Sequence, residues 1–150
     1  MSNIIAVKEK YIIECAKLYV KVFNDKPWND DWNVESAYRR LHDIFIAPNF
    51  EGVLYMKDEE VLGAIFGNYE QYYNGMHYYL REMFVANESQ GLGIGSQILD
   101  YMEDMHRKNK VTTTYLFTSQ GNRTSDFYQK NGYKIWTGMA MMGKHYENEE

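Results

Sequence analysis

The sequence predicts a single domain in which helices cover a mixed β-sheet, an α/β or α+β fold. The chain has 150 residues, an ordinary length for one domain with its own core. Apolar residues recur at intervals of three and four in some segments and of two in others, so both helices and strands are indicated. The resulting order is β-α-α-β-β-β-α-β-α-β, without a repeat or a linker, so residues 1–150 are expected to form one domain.

The first part of the chain predicts a short strand followed by two helices. Residues 3–7 (NIIAV) are rich in β-branched side chains, and apolar positions in residues 8–23 follow a helical period. A second helix is predicted over residues 34–46, with Asn33 as its N-cap. The loop between the two helices, NDKPWNDDWN, combines acidic residues with two tryptophans.

After residue 48 the period changes to two, which predicts strands. These are expected over residues 52–57, 61–73, 76–86, 112–118 and 133–142. The run GLGIG separates the fourth strand from a helix that continues to about Lys108, and NRTSDFYQKNG predicts a last, short helix.

Charge and composition restrict the class of partner. The net charge of −5 disfavours nucleic acid and favours a cationic small molecule or a basic peptide. The single cysteine, Cys15, suits a reducing compartment, and no segment has the length and hydrophobicity of a membrane span or a signal peptide, so a cytoplasmic protein is expected. The histidines show no metal-binding spacing, and we expect no metal.

The stretch ESQGLGIGSQILDYM predicts an anion site formed by backbone amides. A dinucleotide motif would need glycine or alanine where Ser96 stands, and a P-loop would need a lysine after its last glycine. What remains is a strand, a tight glycine turn and a helix N-terminus, whose first amides have no partner in the helix and favour a diphosphate. A glycine turn that only reverses the chain is the alternative.

Two segments together resemble the Gcn5-related N-acetyltransferases, the GNAT superfamily. QGLGIG (residues 90–95), directly after the strand EMFVANES, is similar to the Q/R-x-x-G-x-G/A signature of that family, and FYQKNGYK (residues 127–134) resembles its F-Y-x-K-x-G-F/Y segment. The resemblance covers essentially the whole chain. It implies a mixed sheet of six to seven strands flanked by about four helices, and acetyl-coenzyme A as the cofactor.

The resemblance also implies which residues hold the coenzyme. The backbone of the fourth strand would pair with the pantetheine arm, the glycine loop would bind the pyrophosphate, and an asparagine and a tyrosine near the last helix would complete the site. The positions concerned are Met83, Phe84, Val85, Gln90, Gly91, Leu92, Gly93, Ile94, Gly95, Ser96, Asn122 and Tyr128. Asn122 is equally suited to cap the last helix.

Two residues are candidates for the acid–base chemistry of acetyl transfer. Tyr128 resembles the family's tyrosine that protonates the leaving thiolate, although a tyrosine anchoring the last helix is the alternative. Glu82 interrupts an apolar strand, where a carboxylate is costly unless it is paired or functional, and is the candidate general base. A salt bridge from Glu82 to Arg81, Arg39 or Arg40 is the structural alternative.

Acidic and aromatic residues predict a cationic acceptor. The resemblance implies an acceptor pocket formed by the first helices, their connecting loop and the third-to-fourth-strand region, and the candidate acceptor-binding residues there are Trp28, Asp31, Trp32, Glu70 and Tyr79. Such side chains suit a polyamine or an aminosugar through charge pairing and cation–π contact, and PWNDDW loosely resembles the aminoglycoside 6′-N-acetyltransferases. A solvated loop with an aromatic core, a peptide amine as acceptor and a non-catalytic acyl-coenzyme A sensor stay open. The tyrosine-rich strands around YYNGMHYY also suit a homodimer surface.

Overall fold

A computed structural model describes residues 2–147 of the chain. The chain divides into two compact units, Met1–Phe117 and Thr118–Glu150. In the first unit, the helices and strands are β1 (Ser2–Ala6), a short 3₁₀ helix (Glu9–Tyr11), α1 (Ile12–Phe23), α2 (Val34–Ile46), β2 (Phe50–Lys57), β3 (Glu60–Tyr72), β4 (Gly75–Val85), a second 3₁₀ helix (Asn87–Ser89), α3 (Ile94–Lys108) and β5 (Val111–Tyr115). The second unit contains α4 (Arg123–Lys130).

Within the described residues the sheet has five strands in the order β1-β2-β3-β4-β5. Neighbouring strands from β1 to β4 are antiparallel, whereas β4 and β5 are parallel. Parallel neighbours need a long crossover connection, and α3 supplies it. The glycine run therefore lies between the end of β4 and the start of the crossover helix.

Helices cover both faces of this sheet. The side-chain amide of Asn68 in β3 donates to the backbone oxygens of Ile44 at 3.4 Å and Pro48 at 3.3 Å, so its face lies toward α2. On the opposite face, the buried ring of Tyr78 in β4 lies 4.3 Å from that of His106 in α3. Successive residues of a strand point to opposite faces, so these contacts assign the other strand residues to one side or the other.

A β-bulge interrupts the pairing of β3 with β4. Phe66 pairs with Glu82, but the next residue of β3, Gly67, pairs with Leu80, so Arg81 is the extra residue of β4. Bulges bend a strand and re-aim its side chains. Here both Arg81 and Glu82 face the α1–α2 side, since Arg81 lies over the ring of Tyr79 and Glu82 contacts Arg40 of α2.

His106 makes the stability of the fold sensitive to acid. Its side chain is buried, its Nδ1 lies 3.0 Å from the hydroxyl of Thr114, and burial lowers its pKa to about 4. An unfolded histidine titrates near pH 6.5, so from that pH downward the unfolded chain binds a proton that the folded one excludes. We expect the free energy of unfolding to fall between about pH 6.5 and 4.

Carboxyl groups also titrate in this pH range, so the contribution of His106 to the free energy of unfolding must be separated from theirs. A comparison of the wild type with His106→Gln does this, because the variant keeps all of the carboxyl groups. The stability difference between the wild type and the variant should narrow as the pH is lowered. A constant difference between pH 7 and 4.5, measured by urea unfolding, would show that His106 does not titrate differently in the two states.

The predicted strand over residues 133–142 is wrong, and so is the count of six to seven strands. Within the described part of the second unit, α4 is the one regular element and no strand is present. A strand needs a neighbour that pairs with its backbone groups and covers one of its faces. In residues 133–142 the apolar side chains are instead exposed, with Trp136 at 54% and Met141 at 83%.

Candidate active site

The end of β4 has one open edge. Its last pair with β5 is Tyr79 with Tyr115, so residues 80–85 pair with β3 alone among the described strands. The predicted coenzyme-binding residues Met83, Phe84 and Val85 lie in this segment. The side chain of Phe84 is in the core, at 3% exposure, so it is the backbone of the segment that faces outward. A ligand with amide groups can pair with such an edge like an added strand.

The glycine loop continues from this open edge. Gly91 and Gly93 have φ angles of +85° and +83°, a region that favours glycine, and Gly93 is the N-cap of α3. A Cβ at Gly91 would meet no atom within 4 Å, and one at Gly93 would meet only Gln97 Nε2 at 3.9 Å. The backbone at both positions is thus accessible from outside.

The first amides of α3 are oriented for an anion. Gln97 N–H donates to Gly93 O at 3.0 Å, and the amides before it in the first turn, at Ile94, Gly95 and Ser96, have no acceptor within the helix. These amides carry the positive end of the helix dipole, which favours a phosphate group. The donor set and the open glycines fit a diphosphate.

The side chains of the loop mainly hold it in place. The amide of Gln90 donates to Val85 O at 3.1 Å and to Asn87 Oδ1 at 3.0 Å, which fixes the loop to the end of β4. Ile94 is buried, whereas Leu92 is 70% exposed. The predicted loop residues therefore meet at one place, with their backbone as the ligand-facing part.

Glu82 lies in a polar cluster on the α1–α2 face of the sheet. Its Oε1 is 3.2 Å from Arg40 Nη2, and its carboxylate also accepts a hydrogen bond from the phenol of Tyr19. The side chain of Glu82 is only 12% exposed. Burial raises its pKa above the usual value, and the charges of Arg40 and Arg81 and the Tyr19 hydrogen bond offset part of this rise. Of the three arginines considered from the sequence, Arg40 is the one that forms the salt bridge.

Glu70 and Tyr79 lie on the same face as Glu82, near the other end of β4. The carboxylate of Glu70 accepts a short hydrogen bond from the phenol of Tyr115, whose ring stacks on Tyr79 at 4.8 Å. Phe117 packs edge-on against Tyr79 at 5.8 Å. Tyr115 and Phe117 were not predicted as site residues. Their alternation in the segment TTTYLFT could have indicated them, since it puts both on one face of β5 and its extension.

The loop between α1 and α2 packs one of its three predicted residues, Trp32, against the core. Trp32 packs edge-on against Tyr19 at 5.0 Å, and its indole donates to Asp30 at 3.0 Å. Trp28 contacts Phe23 at 5.5 Å. Asp31 is exposed to solvent. Trp32 thus contacts the ring of Tyr19, whose phenol donates to Glu82. Asp31 is not part of the polar cluster around Glu82.

The second unit holds the remaining two predicted site residues. The side-chain oxygen of Asn122 accepts from the amides of Thr124 at 3.0 Å and Ser125 at 3.1 Å, so it caps α4. Tyr128 is 8% exposed, and its ring packs against that of Tyr133 at 5.7 Å. Capping and packing are therefore the roles that the structure shows for these two residues.

The side chains and helices of residues 2–147 also bear on metal binding and on membrane insertion. No three or more histidine, cysteine, aspartate or glutamate side chains there are grouped so that they could hold a metal ion. Over the same residues, no helix is long and apolar enough to cross a membrane.

An open strand edge that leads into glycines and a helix N-terminus fits an extended coenzyme arm and its diphosphate. The chain belongs to the acetyltransferase (GNAT) family, since the model of the acetyltransferase (GNAT) domain matches residues 48–135. It is thus an N-acetyltransferase by family, and acetyl-coenzyme A is the acetyl donor that this family uses. No curated protein matches the chain in sequence.

Solved structures with this fold include several acetyltransferases. A possible acetyltransferase from Clostridium difficile 630 has a TM-score of 0.80 and 14% identity, with coverage of 97% of this chain and 99% of that one. The aminoglycoside N-acetyltransferase AAC(6′)-Iy in complex with CoA has a TM-score of 0.74 and 15% identity, with coverage of 97% of this chain and 96% of that one. An aminoglycoside acetyltransferase from an uncultured soil metagenomic sample, in complex with sisomicin, has a TM-score of 0.69 and 13% identity, with coverage of 99% of this chain and 97% of that one.

Proposed function

We propose that this acetyltransferase acts on a primary amine of a small cationic acceptor, an aminosugar or a polyamine. The observation that carries the proposal is the position of two carboxylates on the same face of the sheet: Glu82 lies at the open edge of β4, and Glu70 lies on β3 toward the other end of β4. Acetyl-coenzyme A supplies the activated acetyl group at that edge. The carboxylates supply the negative charge that an amine acceptor needs.

In this proposal Glu82 is the general base. An alkyl ammonium has a pKa of about 10, so most of the acceptor must lose a proton before it can attack. A carboxylate whose pKa is raised by burial takes that proton more readily than an exposed one, directly or through a water molecule. The salt bridge to Arg40 and the hydrogen bond from Tyr19 fix the orientation of the carboxylate.

Glu82→Gln should lower kcat/KM by about a hundredfold at neutral pH, the lower range of general-base effects. The loss should shrink as the pH approaches about 10, because the acceptor is then increasingly neutral without assistance. Steady-state rates across that pH range provide the test. Glu51→Gln is a matched control, since burial also raises the pKa of Glu51 in β2. An unchanged pH profile in the Glu82 variant would assign the base to another group.

The coenzyme is proposed to bind through backbone amides from Gln90 to Ser96 and along residues 83–85, and the sequence resemblance adds Asn122 and Tyr128 as further candidates. Tyr128 would donate a proton to the departing thiolate, because a phenol keeps its proton at neutral pH. The support for this role is the F-Y-x-K-x-G sequence pattern around residue 128.

Tyr128→Phe should reduce kcat by about a hundredfold and change the affinity for acetyl-coenzyme A much less, since proton donation matters in the transition state. Single-turnover rates and calorimetric binding separate the two quantities. Tyr133→Phe removes a neighbouring phenol of the same unit and serves as the control. Weakened binding with normal turnover would contradict a catalytic role for Tyr128.

The acceptor can be identified by coenzyme A release with a panel of amines. The proposal expects release with aminoglycosides or polyamines. Release with lysine peptides alone would favour a protein acceptor, and tight acetyl-coenzyme A binding without release would favour a sensor.

The organisation of the protein is also a proposal. We infer that residues 1–150 act as one acetyltransferase domain, because the family match at residues 48–135 includes parts of both units. The free, buried Cys15 supports a cytoplasmic location. Tyr73, which is 98% exposed in the β3–β4 turn, supports a homodimer surface that light scattering can test.

A further inference from the structure

We propose that Glu70 and Tyr115 form a second ammonium subsite, so that the preferred acceptor carries two amines about 13 Å apart. The inference rests on the proposed function, because it concerns the acceptor of the same reaction. It adds a length requirement, and it assigns a binding role to Tyr115 and Phe117.

The two carboxylates share one face of the sheet. Glu82 faces α2 because it contacts Arg40. Asn68 faces α2 as well, and Glu70 lies two residues further along β3, so it points to the same side. An acceptor that lies along this face, from the end of β4 back toward its start, can therefore meet both carboxylates.

Glu70 has a negative charge without a positive partner in the described chain. It is half-buried, and the ion pairs formed within residues 2–147 do not include it. Tyr115 donates one hydrogen bond to it, and burial together with the charge of Glu70 raises the pKa of that phenol, which keeps it a donor. A carboxylate held in this way retains lone pairs for a ligand cation.

Two further aromatic rings pack against Tyr115, whose phenol binds this carboxylate. Tyr79 and Tyr115 stack, and Phe117, which is 59% exposed, stands edge-on to both at 5.8 and 6.2 Å. The guanidinium of Arg81 already lies 5.1 Å from the ring centroid of Tyr79, a cation–π contact within the protein. Ammonium groups favour the same surroundings, a carboxylate with aromatic faces beside it.

The register of the sheet sets the distance between the two subsites. Glu82 pairs with Phe66, and Glu70 lies four residues further along β3. At about 3.3 Å per residue this is about 13 Å. An extended diaminodecane spans about 14 Å between its nitrogens and diaminobutane about 6 Å, at about 1.25 Å per bond.

The test compares diaminodecane with aminodecanol, which replaces the second amine by a hydroxyl, and with diaminobutane. We expect kcat/KM for diaminodecane to exceed that for each of the others by about tenfold, equivalent to about 1.4 kcal/mol. Glu70→Gln should abolish the advantage of diaminodecane over aminodecanol. Tyr115→Phe should reduce the advantage in part.

Glu60→Gln is the matched control, because it removes an exposed carboxylate from the same strand. It should leave the ratio of kcat/KM for diaminodecane to kcat/KM for aminodecanol unchanged. Thermal melting of each variant establishes that it is folded. Equal rates for the three amines, or an unchanged ratio in Glu70→Gln, would overturn the second subsite while the proposed function stands. If no amine releases coenzyme A, the proposed function fails and this inference fails with it.

Discussion

Gly67→Ala is expected to destabilise the protein by about 3 kcal/mol, the upper range for overpacking. A Cβ at this position would lie 2.4 Å from the ring of Tyr78 and 2.4 Å from the backbone oxygen of Tyr79. The Tyr78 ring cannot move aside easily, because it is fully buried and its phenol donates to Glu51 O at 2.7 Å. The backbone of β4 must therefore move.

That movement also affects the site, because Gly67 lies opposite the bulge at Arg81. Urea unfolding measures the stability, and the rate of acetyl transfer in the folded fraction reports on Glu82. Gly63→Ala in the same strand is the matched control. Its nearest neighbour, at 3.1 Å, is the Cγ2 methyl group of Ile94, which has to shift by only a few tenths of an ångström, so a loss of about 1 kcal/mol is expected. Equal losses in the two variants would mean that β4 accommodates the methyl group.

The bounds of a helix agree closely with the sequence prediction where the residues that set them are near in sequence. The second helix was expected over residues 34–46 and is found at Val34–Ile46, because its cap acts within a few residues. Asn33 is the N-cap, as the sequence suggests, and its Oδ1 accepts from Ser36 N at 2.7 Å in a capping box. The predicted first helix, in contrast, begins with a separate 3₁₀ turn before α1 starts at Ile12.

Features that depend on distant residues could not be predicted. The alternation in residues 133–142 is typical of a strand, but alternation does not provide a pairing partner. The hydrogen bond from Tyr115 to Glu70 joins residues 45 apart. Likewise, the sequence offered three arginines as partners for Glu82, and only the packing of α2 against the sheet selects Arg40.

Gly93→Val should weaken acetyl-coenzyme A binding by about a hundredfold, or about 3 kcal/mol, as expected if two amide–phosphate hydrogen bonds are lost. The wild-type Gly93 backbone has φ +83° and borders open space, so a side chain there would project where an anion approaches the helix N-terminus. A β-branched residue is also strained at positive φ. Calorimetry with acetyl-coenzyme A measures the affinity directly.

Gly93→Asn separates obstruction from strain. Asparagine tolerates the left-handed region better than valine, so this variant should melt close to the wild type, while its side chain still obstructs the amides. We therefore expect both variants to bind weakly although their stabilities differ. If Gly93→Asn binds like the wild type, the loss in Gly93→Val comes from a distorted helix start, and the phosphate groups approach the protein elsewhere. Weak binding by both variants places the diphosphate on the amides that begin α3.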